Sequence, residues 1–372
     1  MKKVLSFFKS ETVFVVSFFA AVVSAFFVPP NISYISYPDY RVLALLYCLM
    51  VVVAGFRKCG VFEVLAQRIC TGTKSSRKLC TFLILLCFFF SMLVTNDVAL
   101  LTFVPFTILI LSLTAQEKHA PYVIVLQTVA ANLGSTATPV GNPQNLYLYS
   151  YYDMNASSFF GTVLPVVLIS LLFLLLLCRF IPQESITVHF SRMAKLSTPR
   201  NLILYGVLFV LCLLAVLHVI HWGIAFLGTM AALFIHDRKM LTQADFGLLA
   251  TFVCFFVFVG NLGAMDSVKN LLKQILSGRE MIVSALSSQF ISNVPAAVLF
   301  SGFTSDRQSL LLGTNIGGLG TPVASLASLI SLKAYGKVPY AQKGKYLLFF
   351  CVINFVLLAL LLGFASVFPF PR

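Results

Sequence analysis

Long apolar runs follow one another along almost the whole chain, each ended by a short polar or charged stretch. Several reach the roughly 17 to 25 apolar residues that an α-helix needs to cross a bilayer, and the alternating segments of a membrane β-barrel are missing. The pattern predicts spanning helices near 12–28, 41–56, 159–177, 201–219, 222–235, 246–262 and 346–368. The stretches 61–69 and 267–276 are amphipathic and read as helices lying on the membrane surface.

Four apolar runs do not fit a plain spanning helix. The run 79–113 is interrupted near its middle by Thr95-Asn96-Asp97; it is too long for one span and too poor in polar residues for two full spans with an outside turn. A re-entrant hairpin turning at Asn96 fits better, because non-helical backbone at membrane depth is tolerated where protein or a water-filled cavity surrounds it. The run 281–303 reads the same way, with Ser292-Asn293-Val294-Pro295 at its tip. The other two, 121–150 and 310–335, are helices broken by polar, Gly/Pro-rich segments, and the breaks are copies. NLGSTATPVG, residues 132–141, returns as NIGGLGTPVA, residues 315–324, with five identities and a Leu/Ile exchange.

Composition agrees with a membrane protein: 59% of the 372 residues are hydrophobic and only 10% charged. The fold class expected is an all-α polytopic membrane protein. MKKVLSFFKS and the run behind it look superficially like a signal peptide but lack a convincing small-residue cleavage site, so the first run reads as a retained helix. The nine cysteines form no CxxC pair and read as small apolar fillers, and the 37 phenylalanines as lipid-facing and packing side chains. The net charge of +14 does not imply nucleic acid, since the 26 Lys and Arg lie in short loops and at the termini rather than along one face with stacking aromatics.

Those charges instead order the topology, because Lys and Arg prefer cytoplasmic loops. Lys2, Lys3 and Lys9 place the N-terminus inside, and Arg57, Lys58, Arg68, Lys74, Arg77 and Lys78 mark the next inside loop. Arg179, Arg192, Lys195 and Arg200, then Arg238 and Lys239, then Lys333, Lys337, Lys343 and Lys345 mark the others, which leaves the C-terminus external. Residues 1–180 form an N-terminal half with a surface helix at 59–72, a hairpin at 79–114 and a broken helix at 121–150. A cytoplasmic linker, 181–200, leads to the half 201–372, with a hairpin at 281–303 and a broken helix at 310–335. The second copy is upside down, the inverted-topology repeat of secondary transporters.

A broken helix leaves N–H groups and carbonyls unpaired at half-helix ends, where anions meet N–H groups and cations meet carbonyls. Gly134, Gly141, Gly317, Gly318 and Gly320 permit close backbone approach, and Pro139 and Pro322 stop the helix. Ser135, Thr136, Thr138 and Thr321, with the amides of Asn132, Asn142, Asn145 and Asn315, add neutral donors and acceptors. Small residues also serve plain helix packing in membranes. Two matched breaks beside two Asn-tipped hairpins favour a substrate site. Asp97 is the one acidic residue this topology places deep in the membrane. Such a carboxylate is expensive unless paired, protonated or coordinating a cation. Capping the second hairpin helix is its structural alternative.

TNDVALLTFVPF, ANLGSTATPVGNPQN, SSQFISNVPAAV and TNIGGLGTPVASLASLIS resemble, in order, the signature segments of the ion transporter superfamily. Its branches include arsenite permeases, NhaD-type sodium/proton antiporters, citrate permeases and divalent-anion/sodium symporters. The resemblance implies a homodimer in which a transport domain moves against a scaffold like an elevator. Dicarboxylate symporters of this kind carry Ser-Asn-Thr at each tip for Na⁺ and substrate carboxylate; here Asn96 and Asn293 match, while Asp97 and Val294 replace the threonines. Asp97 looks more like the arsenite and antiporter branches, and SLASLIS like citrate-permease members.

The expected function is secondary active transport of a small anionic solute coupled to H⁺ or Na⁺, with a sodium/proton antiporter or arsenite-type efflux permease as the alternative. A coupling Na⁺ would sit at Asn96, Asp97 and Asn293; no other cofactor and no nucleic acid is expected. The chain has no Walker phosphate loop, no GxSxG nucleophile elbow and no His/Cys/Glu cluster with metalloenzyme spacing, so neither an ATP-driven pump nor an enzyme is indicated.

Overall fold

The computed structural model describes residues 12–188 and 193–370; Lys2, Lys3, Lys9 and Arg192 of the charge pattern lie outside them. Within them are seventeen α-helices, α1 to α17 in chain order. The first half holds α1 (Thr12–Phe27), α2 (Tyr40–Lys58), α3 (Val61–Cys70), α4 (Ser76–Val94), α5 (Asn96–Leu113), α6 (Ala120–Ser135), α7 (Pro143–Tyr151) and α8 (Ala156–Cys178). The second holds α9 (Pro199–Val216), α10 (Trp222–His236), α11 (Phe246–Gly263), α12 (Asp266–Leu276), α13 (Glu280–Ile291), α14 (Asn293–Ser301), α15 (Arg307–Ile316), α16 (Leu326–Tyr335) and α17 (Lys343–Val367). Seven helices among the described residues are long and apolar enough to cross a membrane, so the chain is an α-helical polytopic membrane protein.

Helix starts follow local chemistry. Asp39, Asn142, Asn155, Asp245 and Asp306 each accept a first-turn N–H at the head of α2, α7, α8, α11 and α15. Each such cap contributes about 1 kcal/mol. On α12 only Leu276 is buried, whereas Leu271 and Ile275 are exposed, as a surface-lying amphipathic helix requires. The two hairpins differ in reach. α4 and α5 have 19 and 18 residues, each enough to span, but α13 and α14 have 12 and 9 and cannot.

Two apolar cores form. One gathers α3 to α6 with α8 and α17; the other gathers α2, α7, α9, α10, α11 and α14. α6 runs through the first with nearly every residue buried, which a helix apolar on all sides allows. α1 packs on α11, where Asn261 Nδ2 donates to Ser24 Oγ at 2.9 Å and Tyr34 Oη at 2.8 Å. Such interhelical amide bonds help fix helices inside lipid.

The stretch expected as a linker, 181–200, contains a strand. Strands β1 (Gly72–Ser75) and β2 (Ser185–Val188) form an antiparallel ribbon with Gly72 opposite Val188 and Ser75 opposite Ser185. Ser76 N–H donates to the Glu184 carbonyl at 2.7 Å, and the Glu184 side chain takes Gln116 at 2.7 Å and Lys118 at 2.9 Å. This pins the stretch after α8 to the head of α4.

Candidate functional site

Both hairpins turn on a residue with the same unusual backbone. Thr95 has φ +74° and ψ 150°, and Ser292 has φ +73° and ψ 154°. For residues other than glycine this region costs of order 1–3 kcal/mol, so neighbouring bonds must impose it. They are the same bonds in both copies. Asn96 N–H donates to the Gly141 carbonyl at 3.1 Å and Asn293 N–H to the Ala324 carbonyl at 2.9 Å. Thr138 Oγ1 donates to the Met92 carbonyl, and Thr321 Oγ1 to the Gln289 carbonyl at 2.8 Å.

The glycines of the repeated decapeptides work at the same contact. A Cβ on Gly134 would come within 2.1 Å of the Phe88 carbonyl oxygen, and one on Gly317 within 2.7 Å of Ala285 Cα. No real Cβ survives at either distance, so each broken helix lies backbone to backbone on its hairpin. Gly141 likewise abuts the Ser135 carbonyl, and Pro139 is buried while Pro322 is half-buried behind the turn.

Side chains then cross between the copies. Asn132 Oδ1 accepts from Asn96 Nδ2 at 3.1 Å and from Ser325 Oγ at 3.0 Å, and its Nδ2 reaches Ser328 Oγ and the Gly318 carbonyl at 3.4 Å. In mirror fashion Asn315 Oδ1 accepts from Asn142 Nδ2 at 3.1 Å and Thr136 Oγ1 at 3.2 Å, and its Nδ2 donates to Asn145 Oδ1 at 2.6 Å. Ser135 Oγ supports the first loop by donating to the Asn132 carbonyl. A buried amide left unpaired costs about 1–3 kcal/mol, so this satisfied network locks the two loops together.

A small cavity of about 10 Å³ lies between the tips, about the room of one water. Its walls are the first turns of four helices: Asn96 and Asp97 of α5, Pro143 and Gln144 of α7, Asn293 and Val294 of α14, Ser325 and Leu326 at the head of α16; Leu248 of α11 completes it. Four helix N-termini aimed at one point favour negative charge. A second cavity of about 680 Å³ shares Asp97, Pro143 and Leu248 with it. It follows α2 from Leu46 to Arg57 and Lys58, with Thr95, Asp97 and Asn142 in its wall and Lys239 near those basic residues in the lining.

Asp97 does not cap α5. The N-cap position is Thr95, no side chain fills that role, and Asp97 stands in the first turn with Oδ1 buried and without a hydrogen-bond partner. That oxygen suits a proton or a cation. Of the three side chains expected to share Na⁺, Asn96 gives its oxygen to the Asp97 N–H at 3.0 Å, leaving Asp97 and Asn293 as free oxygen donors.

All the residues singled out in the sequence gather here, on the tips or in the two loops. Three that were not singled out also belong. Ser325 follows the second decapeptide as Asn142 follows the first, so extending the alignment by one residue finds it, and Ser328 is likewise the counterpart of Asn145. Gln289 has Met92 as its counterpart, and nothing in the sequence marks it.

Polar broken helices and hairpin tips at the centre of a membrane-spanning helical bundle define a transporter rather than an enzyme. The chain belongs to the citrate transporter family, whose profile matches residues 5–304 and stops short of α15. It is 30% identical to an uncharacterized transporter of Methanocaldococcus jannaschii over 89% of this chain and 90% of that protein. It is also 30% identical to the inner membrane protein YbiR of Escherichia coli over 83% of this chain and 84% of that one. The silicon efflux transporter LSI3 of Oryza sativa is 32% identical over a shorter stretch, 38% of this chain and 29% of its own.

Proposed function

We propose that this member of the family is a secondary active transporter that moves a small anionic solute, coupled to H⁺ or Na⁺, from a site between the two hairpin tips. The observation that carries the reading is the convergence of four helix N-termini on the cavity holding Asn96, Asn293 and Ser325. Asn293 adds a side chain that makes no hydrogen bond among the described residues and faces that cavity. The matched tips, the matched loop bonds and the opposite charge order of the two halves support an inverted repeat with re-entrant hairpins. For the first hairpin, whose arms are long enough to span, the bond from Asn96 N–H to the Gly141 carbonyl supports a tip packed on the first loop.

On the same reading the N-terminus is cytoplasmic, the C-terminus external and the membrane the inner membrane, as the name of the Escherichia coli relative supports. The larger cavity, lined by Arg57, Lys58 and Lys239, then opens toward the cytoplasm. The other side is fastened: Tyr147 Oη bonds Ser301 Oγ at 2.7 Å, and Tyr152 Oη donates to the Ser301 and Thr304 carbonyls. Elevator exchange of access in a homodimer is carried by the family resemblance and not by the two apolar cores, since the site draws α5 from one core and α7 and α14 from the other.

A second reading is a sodium/proton antiporter or an arsenite-type efflux permease. The absence of any Lys or Arg among the described residues lining the small cavity, beside the free Asp97 oxygen, favours a neutral solute or a bare cation, and the likeness to a protein named as a silicon efflux transporter fits efflux. Proteoliposomes decide between the two. Gradient-driven accumulation of citrate, C4-dicarboxylate or sulfate supports the first reading, whereas gradient-driven movement of arsenite, or sodium-driven pH changes without any solute, supports the second. Unchanged transport in Asn96→Ala and Asn293→Ala variants overturns the site.

A further inference from the structure

Carbonyls released by a broken helix are the oxygen donors that transporters use for monovalent cations. Each loop here gathers several at one point, and neither gathering is free. In the first, Asn145 Nδ2 donates to the carbonyls of Ser135 and Thr136, each at 3.3 Å, and of Thr138 at 3.1 Å. At the second, Gln289 Nε2 donates to the loop carbonyls of Gly317 and Leu319 and to the Ala285 carbonyl of its own helix α13, each at 3.0 Å. An –NH₂ group stands where three carbonyl oxygens converge, once in each copy.

The two amides reach these places by different routes, Asn145 from the helix after its loop and Gln289 from the hairpin before its tip. Amide nitrogen and oxygen are alike in shape, so the network must decide which atom faces the carbonyls. For Asn145 it does so from a backbone group. Asn145 N–H donates to Asn142 Oδ1 at 2.8 Å, so Asn142 Nδ2 is the donor to Asn315 Oδ1. Asn315 Nδ2 must then donate to Asn145 Oδ1, which turns Asn145 Nδ2 to the carbonyls. For Gln289 one bond suffices: Thr321 N–H donates to Oε1 at 2.9 Å. Gly320, at φ +101°, makes the room, since a Cβ there would lie 2.0 Å from Gln289 Oε1.

We infer that Asn145 and Gln289 are built-in substitutes for a cation: each –NH₂ holds a carbonyl cluster that would otherwise take a sodium ion, so neither broken loop binds sodium. Between the tips coupling is then left to the free oxygen of Asp97, the one acidic side chain among the described residues lining the small cavity. The statement about coupling rests on the transporter reading above; the statement about sodium does not.

Thermal unfolding of the purified protein in NaCl, KCl and choline chloride at equal ionic strength reads this without a transport assay, because a ion bound only by the folded state raises its midpoint. The Asp97→Asn protein is expected to unfold at one temperature in all three salts. Sodium stabilisation of the wild type that vanishes in Asp97→Asn places the ion at the carboxylate and supports the inference. Saturable stabilisation that persists in Asp97→Asn overturns it.

Gln289→Glu and Asn145→Asp keep the shape but turn an anionic oxygen toward the carbonyls at a pH well above the carboxylate range. Each is expected to unfold several degrees lower in choline and to recover saturably with NaCl. Midpoints equal to wild type in choline overturn the role of the amides. Should these variants not fold, the Asp97→Asn comparison decides alone. A protein that moves nothing in proteoliposomes would sink the transporter reading and leave these unfolding results untouched.

Discussion

At the first tip Thr95 turns the chain and Asp97 follows with an unpaired carboxylate oxygen; at the second Ser292 turns it with the same dihedral angles and Val294 follows with a methyl-bearing side chain. The backbone bonds are duplicated and the side-chain chemistry is not. A hairpin tip needs only an N–H, a loop carbonyl and a Thr hydroxyl to hold its shape, and both copies have them. Everything added to that frame is free to differ, and it does: an acid on one side only, an amide delivered from different helices, an Asn bonded at one tip and unbonded at the other. The matched bonds account for the common shape of the two tips, while the departures from it carry the chemistry of the proposed site.

The largest effects test whether the copies are equivalent as frames. Asn132→Ala and Asn315→Ala each strand several buried partners in the opposite loop, and each is expected to lower stability by roughly 3 kcal/mol in equilibrium unfolding. A large cost for one and none for the other breaks the equivalence. Next come the tips. Asn96→Ala and Asn293→Ala should both abolish most transport, but only Asn96→Ala should also destabilise, by about 1 kcal/mol, since only Asn96 bonds an amide across the site.

Asp97→Asn tests the asymmetry itself: solute exchange should continue while dependence on a pH or sodium gradient disappears, and retained dependence would remove Asp97 from coupling. Thr138→Val and Thr321→Val should cost about 1 kcal/mol each, as equal losses of one tip-holding hydroxyl.

The smallest effect lies outside both copies. The Lys118 and Gln116 bonds hold Glu184 below its ordinary value of 4.5. A carboxylate lowered in the folded state lends stability that is complete above that ordinary value and fades as pH falls through the lowered one. Being exposed, this contribution should be slight and salt-sensitive, so the difference in unfolding midpoint between wild type and Glu184→Gln should be small at neutral pH and vanish in strong acid.

Much of this was readable in the chain because lipid leaves the backbone few choices. Apolar runs became helices close to where the pattern put them, and Gly134, Pro139, Gly317 and Pro322 marked the breaks. The ribbon was not readable: Gly72–Ser75 is too short and polar to carry a period, and its partner lies beyond five further α-helices. The cross-copy bonds were hidden for another reason. Internal similarity pairs Asn132 with Asn315, whereas the bonds run from each to the other's neighbours, Ser325 and Asn142, which are different residue types. Gln289 stayed invisible because the first copy delivers its amide from Asn145 on a different helix, which leaves Met92 at the matching position, and Asp97's freedom from capping depends on tip dihedrals that no residue pattern records.

The exchange of amide bonds between the loops also bears on how the protein is made. Chains emerge N-terminal end first. Asn132 and Asn142 acquire their cross-copy partners only when residues 315–328 have been synthesised and inserted. Until then the first half holds a buried loop whose polar groups have nowhere to go. A fragment ending at the linker would inherit that defect permanently, and a fragment beginning there would carry the complementary one. Each loop is the other's missing piece during biogenesis, so neither half alone can form the cross-loop bonds.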